Sequence, residues 1–258
     1  MLHVRSAQWE ELPFLASIGV QAFEEDPCYQ HFYPFRKLFP EDWRSSFLRR
    51  LQNALADPSQ YLFVAQRVDA GDPTRYNPED VIGFGLLKRQ GPGAAALKAW
   101  NPPKPDVPPE FVKTGDSRVQ VKDRSVDEAT IQRFYDEEVA ILGGPGITVL
   151  ECTTLAVLPG QQRSGVGKAL LEFGFDQSEQ VGLRMTADAS AKGINLYLRM
   201  GMSIVGNIRL PNKTAQAVDA DGRSVVVQLP EVNMPIIHYI PKSMSRAKSQ
   251  LESCIRSA

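Results

Sequence analysis

The sequence is short of the residues that build metal centres and disulfide frameworks, since 258 residues hold only three cysteines and three histidines. Cys28, Cys152 and Cys254 are odd in number and far apart, which argues against a disulfide scaffold or a zinc cluster and suits a reducing compartment. His3, His31 and His238 are scattered, with no carboxylate or second histidine at ligand spacing, so no metal is expected. Charge of one sign is missing too: 29 Lys and Arg face 30 Asp and Glu, and a net charge of -1 gives no general field for nucleic acid or an anionic membrane surface. No run of about 18 apolar residues occurs, and Met1-Leu2-His3-Val4-Arg5 opens no apolar signal core. The expectation is a soluble cytoplasmic protein with neither nucleic acid nor membrane as its main partner.

What is present is an ordinary globular composition, 43% hydrophobic and 23% charged, with no repeat and no low-complexity tract. One elaborated domain over residues 1–258 is the simplest reading. A strand is expected at Val4 to Arg5, then a helix carrying Leu15, Ile18, Val20, Ala22 and Phe23 that stops near Asp26-Pro27. Pro40-Glu41-Asp42 opens a second helix running to Ala56. Tyr61 to Ala65 and Val81 to Leu87 read as adjacent strands across a turn-rich segment, Asp69 to Glu79. Prolines 102, 103, 105, 108 and 109 mark residues 91–146 as an insertion, within which Val126 to Leu142 recovers a helical pattern. A strand from Ile147 to Val157, a helix from Lys168 to Glu179, a strand from Leu183 to Ala187 and a helix from Ala191 to Met200 follow. Strands at Ser203 to Arg209 and Pro235 to Ile240 finish the sheet, and a solvated helical tail spans 242–258.

Chemistry concentrates where the Ile147 to Val157 strand meets the next helix. Gly165 and Gly167 remove side chains at a point where backbone N–H groups can converge on an anion at a helix N-terminus, a geometry that suits a pyrophosphate. Close helix packing is the other use of such a turn. An NTPase loop needs a leading glycine and Ser or Thr after Gly-Lys, but Gln162 and Ala169 hold those positions. A dinucleotide fingerprint lacks its glycine before Gly165.

Gln162-Arg163-Ser164-Gly165-Val166-Gly167 resembles the cofactor motif of the GNAT acyltransferase superfamily: Gln or Arg, two residues, Gly, one residue, Gly or Ala. Leu155-Ala156-Val157-Leu158-Pro159 resembles the strand end that introduces that turn, and Ala169-Leu170-Leu171 its helix. Ala189 to Met202 is similar to the family's later helix ending in Tyr, three residues, Gly-Phe, with Ser190 in place of Asn and Met202 in place of Phe. Ala22-Phe23 and Asp26-Pro27 look like fungal members.

The resemblance implies an α/β (α+β) fold: a mixed, mostly antiparallel sheet with splayed parallel central strands, flanked by helices. It also implies acetyl-CoA as co-substrate. The pantetheine arm would use the backbone at Leu155, Ala156 and Val157, the pyrophosphate the Gln162, Arg163, Ser164, Gly165, Val166, Gly167 and Lys168 turn, with Arg163 and Lys168 adding charge. Asn195 would bond the pantetheine or only its own helix. Tyr197 matches the family tyrosine and is the expected general acid for the leaving thiolate, with a core tyrosine as the alternative. Glu151 stands at the spacing of the general base of some members; a solvent-facing strand carboxylate or a substrate anchor are its other readings. His31 to Phe35, after Glu24-Glu25-Asp26, either line an amine pocket or form an ordinary loop. With residues 91–146 covering the acceptor side, a small-molecule amine is the expected acceptor. A protein or peptide acceptor, and a non-catalytic acyl-CoA-binding or interaction module, are the alternatives.

Overall fold

The computed structural model describes residues 1–68, 78–91, 100, 102–103, 105–108, 111 and 123–244. The expected turn over 69–77, much of segment 91–122, and the tail beyond Met244 with Cys254 lie outside those residues. No helix among the described residues is long and apolar enough to cross a membrane.

The chain runs β1 (Leu2–Ser6), α1 (Leu12–Phe23), α2 (Pro27–Phe32), α3 (Pro40–Ala56), β2 (Gln60–Arg67) and β3 (Val81–Gln90) in its first part. It continues with α4 (Glu128–Leu142), β4 (Val149–Val157), α5 (Val166–Val181), β5 (Met185–Asp188), α6 (Ile194–Arg199), β6 (Ser203–Leu210), β7 (Lys213–Val218), β8 (Ser224–Leu229) and β9 (Val232–Tyr239). Seven strands form one sheet in the order β1-β2-β3-β4-β5-β9-β6. Every pairing in it is antiparallel except β4 with β5, which is parallel. The mixed sheet flanked by helices is the architecture expected.

Local chemistry explains the elements. Asp26, expected only to stop a helix, also starts one: its Oδ1 accepts from the amides of Cys28 at 2.9 Å and Tyr29 at 3.1 Å, so α2 begins at Pro27. That short helix was missed. So was the β7–β8 hairpin, whose signals were the β-branched run Val225 to Val227 and the turn in which the Asp219 carboxylate accepts from the amides of Asp221 and Arg223.

Two layers cover the sheet. Below it, α5 buries Leu170 and Leu171 against Leu150, Cys152, Met185, Ala187 and Ile237. Above it, α1 and α3 pack Leu15, Ile18, Phe47 and Leu51 onto Leu62, Val64, Phe84 and Ala156. The helix inside the segment expected as an insertion is part of this upper layer. Phe134 and Leu142 of α4 sit with Ile208, Met234 and Ile236 of β6 and β9 and with Cys28 of α2. Asp127 caps α4 at its N-terminus and pairs with Lys213 of the hairpin, while Gly143, at φ 117°, closes the other end. Residues 128–142 therefore belong to the core.

Phe134→Ala is expected to destabilise the fold by about 3–5 kcal/mol in denaturant unfolding, because it empties a closed site. Arg133→Ala beside it, exposed and paired only across one helical turn with Glu137, is expected to change stability by less than about 0.5 kcal/mol.

Candidate active site

The site begins where β4 and β5 part. β4 is paired with β3 from Gln90↔Val149 to Gly83↔Val157, but with β5 only at Leu150↔Met185 and Glu151↔Thr186. Beyond Glu151 the β5-facing edge of β4 has no strand partner among the described residues, which is the expected splay. At the same point the β3 register slips: Leu87 faces Cys152 and Leu86 faces Thr154, leaving Thr153 as an extra residue, its hydroxyl donating to the Leu86 carbonyl at 3.4 Å. Such a bulge reverses which side chains share a face. Leu150 and Cys152 point into the lower layer and, after the bulge, Leu155 and Val157 pack against that layer as well. Strict alternation would have put Glu151 on the same face as Leu155 and Val157; the bulge puts it on the upper face, toward α4.

On the lower side, the turn between β4 and α5 is shaped by two left-handed residues, Arg163 at φ 64° and Gly165 at φ 91°. The first helical bond runs from the Ala169 amide to the Gly165 carbonyl at 3.0 Å, so the amides of Val166, Gly167 and Lys168 have no helical acceptor. The two glycines act differently. A Cβ at Gly165 would meet nothing within 4 Å, so glycine serves the backbone angle there; at Gly167 a Cβ would stand 3.1 Å from Leu196, so glycine lets α5 approach α6.

A cavity of about 960 Å³ opens in front of those amides. Of the expected residues it is lined by Leu155, Val157, Gln162, Arg163, Gly165, Gly167, Lys168 and Asn195. Ala156 and Val166 are instead buried in the two core layers. Ser164 donates to the Gln161 carbonyl at 2.5 Å and lines a separate recess beside Met1 and Arg67. The Gln162 amide group braces the turn, reaching the Val157 carbonyl at 3.3 Å. Residues that the sequence reading did not assign to the cofactor site complete the cavity, among them Ser190, Lys192 and Arg199 near the turn, and Ala22, Phe23 and Asp26 from α1 and the start of α2. Lys192 and Arg199 with Arg163 and Lys168 make a cationic mouth. Among them, the described residues show one ion pair, Lys168 with Glu172 at 3.3 Å, exposed and weak.

On the upper side the sheet presents a polar row. Met185, Ala187 and Ile237 face α5, so Thr186, Asp188 and His238 face the other way with Glu151. Glu138 of α4 and Glu151 are each only 3% exposed, and one oxygen of each has no hydrogen-bond partner. Burial is the main reason both carboxyls lie above the usual range. Glu138, at about 9, is raised further by Glu151 and Asp188; Glu151, at about 7, is raised by Asp188 and eased back by Lys88, its cross-strand neighbour. Burial likewise lifts Asp188 to about 6. Tyr29, Arg50 and the 42%-exposed Tyr135 lie near this acidic row, with the Arg50 guanidinium donating to the Tyr29 hydroxyl at 3.2 Å.

Tyr197 lies in the lower layer with its phenol near Cys152 and Asp188. Its pKa is pushed well above the usual value by burial, then by those two groups, so it holds its proton as a donor. The Cys152 thiol, raised to about 12 chiefly by burial, is no nucleophile. Ser190 accepts from the Gly193 amide at 3.1 Å, and Met202 is buried in the lower layer, so both substitutions are accommodated locally.

The carboxyls give a signed prediction. Where the folded pKa is raised, the native state holds more protons than the unfolded one, and stability falls as pH climbs from about 4.5 through 7. Glu151→Gln is expected to melt higher than the unmodified protein at pH 8, by an amount on the order of 2 kcal/mol that vanishes near pH 4.5. Melting curves across that range check it, and a pH-independent difference would contradict the assignment.

Residues 128–202 match the model of the acetyltransferase (GNAT) family. An acetyltransferase of Stachybotrys chartarum is 23% identical over 212 residues, spanning 81% of this chain and 84% of that protein. Among solved structures, a histone acetyltransferase HPA2 and related acetyltransferase from Corynebacterium glutamicum superimposes with a TM-score of 0.53 at 16% identity, covering 93% of this chain and 96% of that one. A mosquito arylalkylamine N-acetyltransferase like 5b gives 0.53 at 16% identity, over 93% and 100%. The matched segment runs from α4 through the glycine turn to Met202, and the chain shares the fold of these acetyltransferase structures.

Proposed function

We propose that the protein is an N-acetyltransferase that moves an acetyl group from acetyl-CoA to a small-molecule amine, the amine attacking directly while both substrates are bound. The observation that carries this is the Thr153 bulge, which sets an anion-attracting groove on one face of β4 and the buried carboxyl of Glu151, with Glu138 of α4 near it, on the other. The residues in the groove fit the cofactor. Free amides at Val166, Gly167 and Lys168 and the side chains of Arg163, Lys192 and Arg199 suit a diphosphate, and the unpaired edge of Leu155 to Val157 suits an amide-bearing pantetheine arm. Asn195, exposed on the groove wall, is a further contact.

When bound, acetyl-CoA supplies the thioester carbonyl and a thiolate leaving group. Alkyl ammonium groups lose their proton near pH 10, so the acceptor needs a base at neutral pH. Glu151 takes that proton, its raised pKa bringing it into range. Tyr197 donates a hydrogen bond to the departing sulfur; held far above the thiol range, it stabilises the thiolate without surrendering its own proton. Tyr29, Tyr135, Glu138 and Asp188 would hold the cationic acceptor by ring faces and charge. The two similar solved structures carry names that point to a histone and to arylalkylamines, so the fold alone leaves the acceptor open. Buried carboxyls on β4 and α4, with the rings of Tyr29 and Tyr135 near them, favour a small cation over a folded protein surface.

Free-thiol release from acetyl-CoA against polyamines, aryl amines, amino acids and histone-like peptides tests this, and activity on peptides alone would sink the small-molecule reading. Stabilisation by coenzyme A of about 2.7 kcal/mol at 100 times its Kd, with no thiol release from any amine, would mark a binding module instead. Glu151→Gln is expected to lower kcat/KM by roughly 100-fold or more at pH 7.5, the deficit narrowing toward pH 10 as the amine deprotonates itself. Tyr197→Phe should lower kcat roughly tenfold while leaving the KM for acetyl-CoA near its original value.

A further inference from the structure

Transfer to an ammonium takes two protons from nitrogen as the N–C bond forms and the C–S bond breaks: the proton lost by the acylated nitrogen ends on the departing sulfur as a thiol, and the one taken first by Glu151 must leave to solvent. Glu151 is 3% exposed, its Oε2 is buried without a partner, and no described residue donates a hydrogen bond to it. What lies beside it is ordered by the sheet. Glu151 of β4 is in register with Thr186 of β5, and Thr186 is in register with His238 of β9. Residues opposite one another in neighbouring strands and on one face have Cβ atoms about 4.5–5.5 Å apart, a gap that one side-chain hydroxyl or one water spans.

Three atoms of that row are buried and unpartnered: Glu151 Oε2, Thr186 Oγ1 and His238 Nδ1. Glu138 Oε1 on α4, above the row, is a fourth. Buried polar atoms almost always find partners, so a run of such atoms across adjacent strands is a place where internal water would be held. His238 is only half-buried, at the solvent end of the line.

We propose that Glu151, Thr186 and His238 form a proton exit across the sheet, in which Thr186 and intervening water carry the proton taken from the acceptor to His238, which passes it to solvent. This rests on the acetyl-transfer reading above for its purpose, and on the register of three strands for its path. Thr186 both donates and accepts, so it relays without changing charge. The His238 imidazole is held below its usual pKa, by burial first and then by Arg184, and is neutral at pH 7 and able to accept. Other charged groups facing the row are Glu138 from α4, Lys88 from β3, and Asp188 at the end of β5. The Arg184 guanidinium is occupied with the Leu142 carbonyl at 2.8 Å and takes no proton. Thr186 and His238 never meet substrate in this scheme; they act through Glu151.

Two measurements test it, one independent of turnover. In acetyl transfer, His238→Gln and Thr186→Val are each expected to lower kcat roughly tenfold at pH 7.5 with both KM values unchanged, and the double variant to be no slower than either single one. Added imidazole should restore much of the His238→Gln rate. Unchanged kcat, multiplicative losses or absence of rescue would overturn the relay while leaving acetyl transfer standing. The second measurement is NMR titration of the His238 ring in the intact protein: its midpoint is expected to fall in Glu151→Gln and to move in Thr186→Val. A midpoint indifferent to both would refute the connection even if no amine proved to be a substrate, which would be the separate failure of the activity itself.

Discussion

The structure depends on an incomplete strand pairing. β4 belongs to the first half of the sheet, locked to β3 along its whole length, while β5 belongs to the second half, locked to β9 at four positions. The two halves touch through two parallel pairs, Leu150↔Met185 and Glu151↔Thr186. A strand edge left open in this way leaves backbone N–H and C=O groups without partners, and such groups must find them in water or in a ligand. A chain of amides laid into the gap would complete the sheet much as an added strand does. That is the physical reason for associating the groove with an extended, amide-bearing cofactor, and it does not rely on any single side chain.

The Thr153 bulge then does for side chains what the splay does for the backbone. Without it, Glu151, Thr153, Leu155 and Val157 would share one face, and a carboxylate would lie in the groove that the cationic residues serve. With it, opposite electrostatic environments stand back to back across a single strand. A net charge of -1 conceals this arrangement, because Arg163, Lys168, Lys192 and Arg199 on one side cancel Glu138, Glu151 and Asp188 on the other in any count over the chain.

The division between what could be read from the sequence and what could not follows the same line. Gln162 to Gly167 was legible because its constraints are local: a left-handed angle at Gly165 and a close approach at Gly167 are demands that residue types answer within six positions. Helices α1, α3, α4 and α5 were legible for a similar reason, through apolar spacing and capping residues. The face that Glu151 occupies was not, since one unpaired residue in β4 decides it and the slip is visible only against β3. Glu138 and Asp188 escaped notice, and His238 was read only as a scattered histidine, because each looks like an ordinary solvated polar residue until α4 is laid over β5 and β9. Segment 91–146 misled for a related reason: its prolines mark a break in composition, but Phe134 and Leu142 at its end answer to β6 and β9, strands far along the chain.

Keeping Glu138, Glu151 and Asp188 near one another in a poorly hydrated place costs stability at neutral pH, because each ionised form raises the energy of the next. A fold selected only for stability would replace one of them with an apolar residue, as buried ionic groups elsewhere can be replaced without loss. Their retention makes sense if something positively charged enters the crevice and something basic is needed there. A cationic acceptor would relieve the repulsion as it binds, so part of the destabilisation of the free protein would return as affinity. The same carboxylates that weaken the empty fold would then discriminate for an ammonium over a neutral amine, and on the proposed reading Glu151 would become the base only once that ammonium had arrived to be deprotonated.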